Sequence, residues 1–405
     1  MRSKTGISKF CIFLVRVGPM AELDSFSTVT NLSAVKADIS RREMMLSAGL
    51  ALLLSGGRSS SEVMPKDDSL NALAKKRGRF FGTAVRTDKI WNDPAYRTAV
   101  IGECGSITPE VALKWDFVEP QEGELTFDPM NSIMGFAEAN DLDVHGHTLL
   151  WYNSMPPWAA RKILETRDWT IINNHFANVL RTYKGKIKYW DVINEPIEAG
   201  KRWDGLRDGV MLQAFGPDYI DHALRSARIY APDAKLMIND FGFEYDTYDE
   251  NDRRWLLLRL VEKLKKAGAP LDGIGLQAHL DLAKGSLASK KIADFLVELR
   301  NFGVKIIISE LDVKEYDYAL PAEQRDQRVA DHAKQYLEVV LAEPAVIGLT
   351  CWGLTDRYSW LDATDGDYKR LRGPREQTGL NRGLPYDANY GRKPLYYTIR
   401  NALNA

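Results

Sequence analysis

Two glutamates sit where they could break a glycosidic bond. One closes the run Trp190-Asp191-Val192-Ile193-Asn194-Glu195-Pro196, and the other lies in Ile308-Ser309-Glu310-Leu311-Asp312. Each follows a short apolar run that reads as a strand, so each carboxyl falls at a strand's carboxyl end. Hydrolysis of an acetal needs such a pair. One carboxyl protonates the departing oxygen, the other attacks the anomeric carbon, and a separation of roughly 5–5.5 Å gives retention through a covalent intermediate. Neighbours divide the roles. His279 ends another apolar run, and an imidazole oriented by Asp312 could hydrogen-bond Glu310 and keep it ionised. Glu195 is then left to carry the proton, with Asn194 beside it to hold a sugar hydroxyl. Taken singly, each residue is as well explained as a surface carboxylate or a satisfied core histidine. Their convergence on one rim favours the chemical reading.

That rim has to be built. Past residue 70, short β-branched or apolar runs alternate with longer amphipathic stretches, the pattern of parallel strands joined by crossover helices. Strands are predicted at 81–85, 106–110, 143–149, 189–195, 235–240, 273–279, 305–312 and 346–353. Helices are predicted between them. One spans 251–267, with Trp255, Leu258, Leu260, Val261 and Leu264 facing inward and Gly268 ending it; another spans 323–341. Eight strand–helix units predict an α/β fold, a closed (β/α)8 TIM barrel, as one catalytic domain over residues 66–405. The fourth and seventh strands then face each other across the mouth. The glycine-bearing, charged segment 362–391 reads as a long loop after the eighth strand.

The front of the chain reads differently. Arg41-Arg42 precedes an apolar run from Met44 to Ser55 and a small polar stretch, Gly56 to Ser61, the layout of a twin-arginine export signal. About a dozen apolar residues fall short of the ~20 that span a bilayer, so no membrane attachment is expected once the signal is removed. Residues 1–65 are assigned to this leader. The expected partner is the twin-arginine export machinery, and the expected location the periplasm or the medium.

Composition narrows the ligand. Lys plus Arg, 54, nearly cancel Asp plus Glu, 55, which gives no electrostatic reason for a nucleic-acid partner. Ten Trp and 17 Tyr suit stacking on sugar rings, although core packing accounts for most of them. The three cysteines, Cys11, Cys104 and Cys351, have no metal-site spacing, and the last two are expected to be buried and free. The two carboxyls can do all the proton and nucleophile work, so no metal and no organic cofactor is expected. A monomer is expected.

From about residue 75 to 403 the chain resembles glycoside hydrolase family 10, the xylanase family. Asn194-Glu195-Pro196 alone fits many retaining barrel glycosidases. The more specific matches are Gly146-His147-Thr148-Leu149-Leu150-Trp151, Thr355-Asp356-Arg357-Tyr358-Ser359-Trp360, and Thr108-Pro109-Glu110 followed by Lys114-Trp115. The resemblance implies a retaining endo-1,4-β-xylanase acting on xylan or xylo-oligosaccharides, with Glu195 as acid/base and Glu310 as nucleophile. It also implies that Lys114, His147, Asn194, Gln277 and His279 contact or support the sugar at the cleavage point. Trp352 and Trp360 would wall that sugar, and Glu110 and Trp151 would lie near the adjoining subsite. The chain departs from the family pattern at Val111, where Asn is usual, at Tyr152 and Ser154, where His and Gln are usual, and at Asp240-Phe241-Gly242, where Asp-Tyr-Asn is usual. These departures leave open the same mechanism on a β-glucan, cellobioside or decorated glycoside. An idle carbohydrate-binding barrel is the remaining alternative, and the intact carboxyl pair counts against it.

Overall fold

The predicted strands form one parallel sheet that closes on itself. The computed structural model describes residues 68–362 and 381–405. The barrel strands are β1 (Phe80–Val85), β2 (Ser106–Pro109), β3 (Asp143–Gly146), β4 (Tyr189–Asn194), β5 (Lys235–Asp240), β6 (Gly273–Leu276), β7 (Lys305–Lys314) and β8 (Val346–Cys351). Each pairs in parallel with the next, and β8 pairs with β1, with Phe80 opposite Gly348 and Thr83 opposite Cys351. Two short segments, Leu150–Trp151 and His279–Asp281, prolong the paths of β3 and β6 toward the rim by pairing with β4 and β7. The strands predicted at 143–149 and 273–279 stop before the first of these segments and at the first residue of the second. The path of β6 is broken at Gln277-Ala278, where Ala278 takes a left-handed backbone, φ 58°.

Strands covered on both faces need no polar alternation, and these have almost none. Leu236 through Asp240 and Ile306 through Val313 are buried without interruption. The helix after β5, Tyr248–Lys266, shows how the outer ring is held. The Thr247 side chain accepts from the Glu250 N–H, and Lys263, Lys265 and Lys266 in the last turn meet the negative end of the helix dipole. Its inner face is Leu256, Leu257, Leu260, Val261 and Leu264. Trp255 is not on it: it is 55% exposed, because the core stripe starts one residue later than the sequence suggests. Leu258 is only partly buried. The helix predicted at 323–341 is found as Ala322–Val340.

The two ends of the described barrel meet on one buried carboxylate. Glu103 accepts from the Leu70 N–H at 3.0 Å, from the hydroxyls of Tyr386 and Tyr396 at 2.7 and 3.1 Å, and from Arg392 at 2.7 Å. Cys104 and Cys351 are buried and free, as expected. No helix among the described residues is long and apolar enough to cross a membrane. The predicted leader, with Arg41-Arg42, and residues 363–380 of the predicted loop lie outside the described residues.

Candidate active site

Both glutamates stand at the carboxyl rim. Glu195 follows β4 directly and takes a left-handed backbone, φ 56°. A residue with a side chain is held there at a cost on the order of 1–3 kcal/mol, so its surroundings must over-determine it. They do: the Glu195 N–H donates to the Asn239 carbonyl at 2.7 Å, and Arg207 Nε donates to the Glu195 carbonyl at 2.8 Å. The Glu195 Oε1 accepts from Gln277 Nε2 at 3.2 Å and from Asn194 Nδ2 at 3.3 Å.

Glu310 lies within β7 and is more enclosed. Its Oε1 accepts from Asn239 Nδ2 at 2.6 Å and its Oε2 from His279 Nε2 at 3.2 Å. His279 Nδ1 donates in turn to Asp312 Oδ1 at 2.9 Å, and Trp360 Nε1 donates to the other Asp312 oxygen at 2.6 Å. Burial opposes charge on both Glu310 and His279, but the neighbours prevail. Asp312 and Glu310 raise the imidazole to about 10, while the His279 hydrogen bond, the positive fields of His147 and His279, and the Asn239 hydrogen bond hold Glu310 below the ordinary carboxylate range.

Asn239 connects the two halves and is absent from the residues that the sequence singles out. Ser309 Oγ donates to its Oδ1 at 2.6 Å, which fixes the amide so that Nδ2 reaches both Glu310 and, at 2.9 Å, Asn194 Oδ1. Space for this side chain comes from Gly275, since a Cβ there would stand 2.1 Å from Asn239 Oδ1. The available signal was an Asn directly after the apolar run Leu236–Ile238 and next to last in its strand. Asp191 is a second such residue: it accepts from His145 Nε2 at 3.0 Å and His147 Nδ1 at 2.8 Å. Burial works against its charge, yet the two imidazoles hold it well below the usual carboxylate range.

Lys114 is buried, with Nζ 4.6 Å above the Trp151 ring and 5.9 Å from that of Trp352. Burial pulls its ammonium down to about 8 against the charges of Glu110, Glu310 and Glu195. Trp352 sets its ring 5.2 Å from His147, and Trp360 lies 4.9 Å from His279.

Every predicted site residue except Glu110 lines one cavity: Lys114, His147, Trp151, Asn194, Glu195, Gln277, His279, Glu310, Asp312, Trp352 and Trp360. Phe241, Asp281, Lys284 and Lys314 extend its wall. Glu110 is buried outside that lining, and its Oε1 has no hydrogen-bond partner among the described residues. Among the described residues no cluster of His, Cys, Asp or Glu could hold a metal.

Two departures from the family pattern have local reasons. Gly242 has φ 77°, and a Cβ there would meet Arg253 Nε at 3.0 Å. Arg253 fills that space, stacked 4.2 Å from Phe241 and bonded to Asp240 at 2.5 Å. Tyr152 is half exposed under the Arg207 guanidinium, which lies 4.2 Å from its ring.

The family model described as Glycosyl hydrolase family 10 matches residues 69–402. Endo-1,4-beta-xylanase A of Phanerodontia chrysosporium is 34% identical over 333 residues, 81% of this chain and 75% of that protein. Endo-1,4-beta-xylanase B of Thermotoga neapolitana is 31% identical over 364 residues, 87% of this chain and 96% of that protein. In three dimensions, native xylanase 10B from Thermotoga maritima matches with a TM-score of 0.71 at 30% identity, covering 83% of this chain and 98% of that one. Xylanase 10B from Thermotoga petrophila RKU-1 in complex with xylobiose matches with a TM-score of 0.70 at 30% identity, covering 83% and 97%.

Proposed function

The chain belongs to glycosyl hydrolase family 10, and on that premise we propose that it is a retaining endo-1,4-β-xylanase. The observation that carries the mechanism is the unequal setting of the two carboxyls. Glu310 is held ionised between Asn239 and the Asp312-oriented His279, in the same cavity as Glu195. Glu310 attacks the anomeric carbon of a xylose unit, a carboxylate–sugar ester forms, and the glycosidic bond breaks as Glu195 gives its proton to the leaving oxygen. Water then attacks the same carbon, Glu195 takes its proton, and Glu310 leaves as carboxylate, so both groups return to their starting state. Asn194, Gln277, His147 and Lys114 hold the sugar's hydroxyls, with Trp352 and Trp360 as its walls. The relatives' names and the xylobiose complex favour xylan over a β-glucan.

Arg41-Arg42 and the apolar run after it support export through the twin-arginine machinery. The barrel, residues 66–405, then acts as a monomer in the periplasm or the medium.

Product analysis tests the reading. The mature domain is incubated with glucuronoxylan, linear xylo-oligosaccharides and soluble cellulose, beside a Glu310→Gln blank. Short xylo-oligosaccharides absent from the blank are the expected result, and release from cellulose alone would overturn the choice of sugar.

A further inference from the structure

The backbone beyond Glu195 is gripped by an ion pair that does not line the cavity. Asp240, at the end of β5, and Arg253, in the second turn of the helix Tyr248–Lys266, are both buried and lie 2.5 Å apart. Asp240 Oδ2 accepts the Ile197 N–H at 2.9 Å, and Arg253 Nη1 donates to the Ile197 carbonyl at 3.0 Å. A residue two places after Glu195 is thus held at both of its backbone polar groups by one pair. Arg253 Nε reaches the Phe241 carbonyl at 2.7 Å, so the same guanidinium ties the segment after β4 to the segment after β5.

This grip has a use where it stands. Glu195 has φ 56°, a conformation that a residue with a side chain keeps only when its surroundings impose it. Arg207 bonds the carbonyls of Glu195 and Ile197, and the Ile197 N–H falls to Asp240. Stability alone explains the pair poorly, because an apolar pair of similar volume often stabilises a protein as well as buried charges do. Geometry explains it better. A guanidinium presents its donors in fixed directions, here to three acceptors, and an ammonium has no such fork. Gly242 admits it, since a Cβ there would stand 3.0 Å from Arg253 Nε.

We propose that Arg253, acting through Asp240 and Ile197, is a positioning residue for the proton donor, holding the Glu195 carboxyl in line with the leaving oxygen. This rests on the reading of Glu195 as the acid. A misplacement of about 1 Å at a reacting group costs on the order of 10²-fold. The loss should fall on proton transfer, because Glu310 is held by the side chains of Asn239 and His279 and has no bond to Arg253.

The test is the dependence of the first chemical step on the leaving group. Wild type and Arg253→Met are compared on 4-nitrophenyl and phenyl β-xylobioside, whose aryl rings are alike in shape. Nitrophenolate leaves with little help from a proton, and phenolate needs more. In the variant, kcat/KM for the nitrophenyl glycoside is expected within about threefold of wild type, while that for the phenyl glycoside falls about tenfold or more. Arg253→Lys keeps the charge beside Asp240 and loses the fork. It should show the same split, and it carries the test alone if the methionine variant does not fold. Parallel losses on the two glycosides, no loss on either, or failure of both variants to fold would overturn the proposal, leaving Arg253 a structural residue and the xylanase reading intact. Failure of the wild type on both aryl glycosides and on xylotriose would instead overturn the reading of the site, and the proposal with it.

Discussion

His279 Nδ1 lies 2.9 Å from Asp312 Oδ1, and this pair sets the charge beside Glu310. With Asp312 ionised the imidazole keeps both protons, so Nε2 donates to Glu310 and the cation favours the carboxylate. Asp312→Asn removes the charge that raises His279. The imidazole then loses its proton more readily, Glu310 loses a cationic partner, and its own proton is held to higher pH. The acid limb of the kcat/KM profile should move upward. Losing a hydrogen bond to a charged group, worth about 1.5–3 kcal/mol, should also lower kcat about 10–100-fold. A pH–rate series on xylotriose checks both effects, and an unmoved acid limb would contradict the linkage.

The same pair predicts a pH dependence of stability. His279 has its folded pKa raised from 6.5 to about 10, so its stabilising contribution is complete below about 6.5 and is lost as pH rises through about 10. Denaturant unfolding of the wild type and His279→Asn at pH 6 and pH 10 should therefore show the gap between them shrinking at the higher pH. A gap that widens would contradict the raised pKa.

Asn239 joins the two carboxyl neighbourhoods, and its truncation should be felt in both. Asn239→Ala removes the donor to Glu310 Oε1 and the acceptor of Ser309 Oγ, and leaves Asn194 Oδ1 with only the longer bond from Gln277. An unmatched buried polar atom costs about 1–3 kcal/mol, so kcat should fall on the order of 10²-fold and the denaturation midpoint should drop. Asn239→Asp separates charge from shape, because it keeps the size but sets a second carboxylate beside Glu310. Its pH–rate profile should show the acid limb displaced upward.

Much of this site was legible because barrel physics and motif chemistry agree. A residue at the end of a buried strand must face the rim, and Glu195, His279 and Glu310 are residue types that an apolar strand would not otherwise carry. Asn239 and Asp191 were harder to see. A lone amide or carboxylate inside a strand shows its purpose only when Ser309, Gly275 or a histidine pair from another strand is brought beside it. Trp255 failed for a related reason. Helical periodicity gives a stripe, but with leucines at 256, 257 and 258 the phase of that stripe is set by packing against the barrel. The break at Ala278 has no local signature either, since alanine carries no preference for a left-handed backbone.

Glu103 should matter for stability and not for chemistry. It is buried away from the cavity, with bonds to Leu70, Tyr386, Tyr396 and Arg392 that tie the first described helix to the last loop and helix. Glu103→Ala removes an acceptor shared by several donors, and leaving a buried donor unmatched costs about 1–3 kcal/mol. Urea unfolding should show that loss, while kcat per folded molecule at 25 °C stays unchanged. A large fall in kcat with an unmoved midpoint would mean that the residue acts on the site.

The division of labour between Glu195 and Glu310 can be separated by leaving group. Glu310 lies between Asn239 and His279, held ionised for attack, and Glu310→Ala should abolish turnover on every glycoside. Glu195 borders the same cavity, where the amides of Gln277 and Asn194 both donate to its Oε1. Proton transfer by a positioned side chain contributes about 10²–10⁴-fold, and a nitrophenolate needs little of it. Glu195→Ala should therefore lose most of its rate on xylotriose but form the glycosyl-enzyme readily from 4-nitrophenyl β-xylobioside. Release of nitrophenolate should appear as a rapid burst followed by slow hydrolysis, because the base for the second step is gone. Equal losses on both substrates, with no burst, would rule out Glu195 as the proton donor and move that role to another group in the cavity.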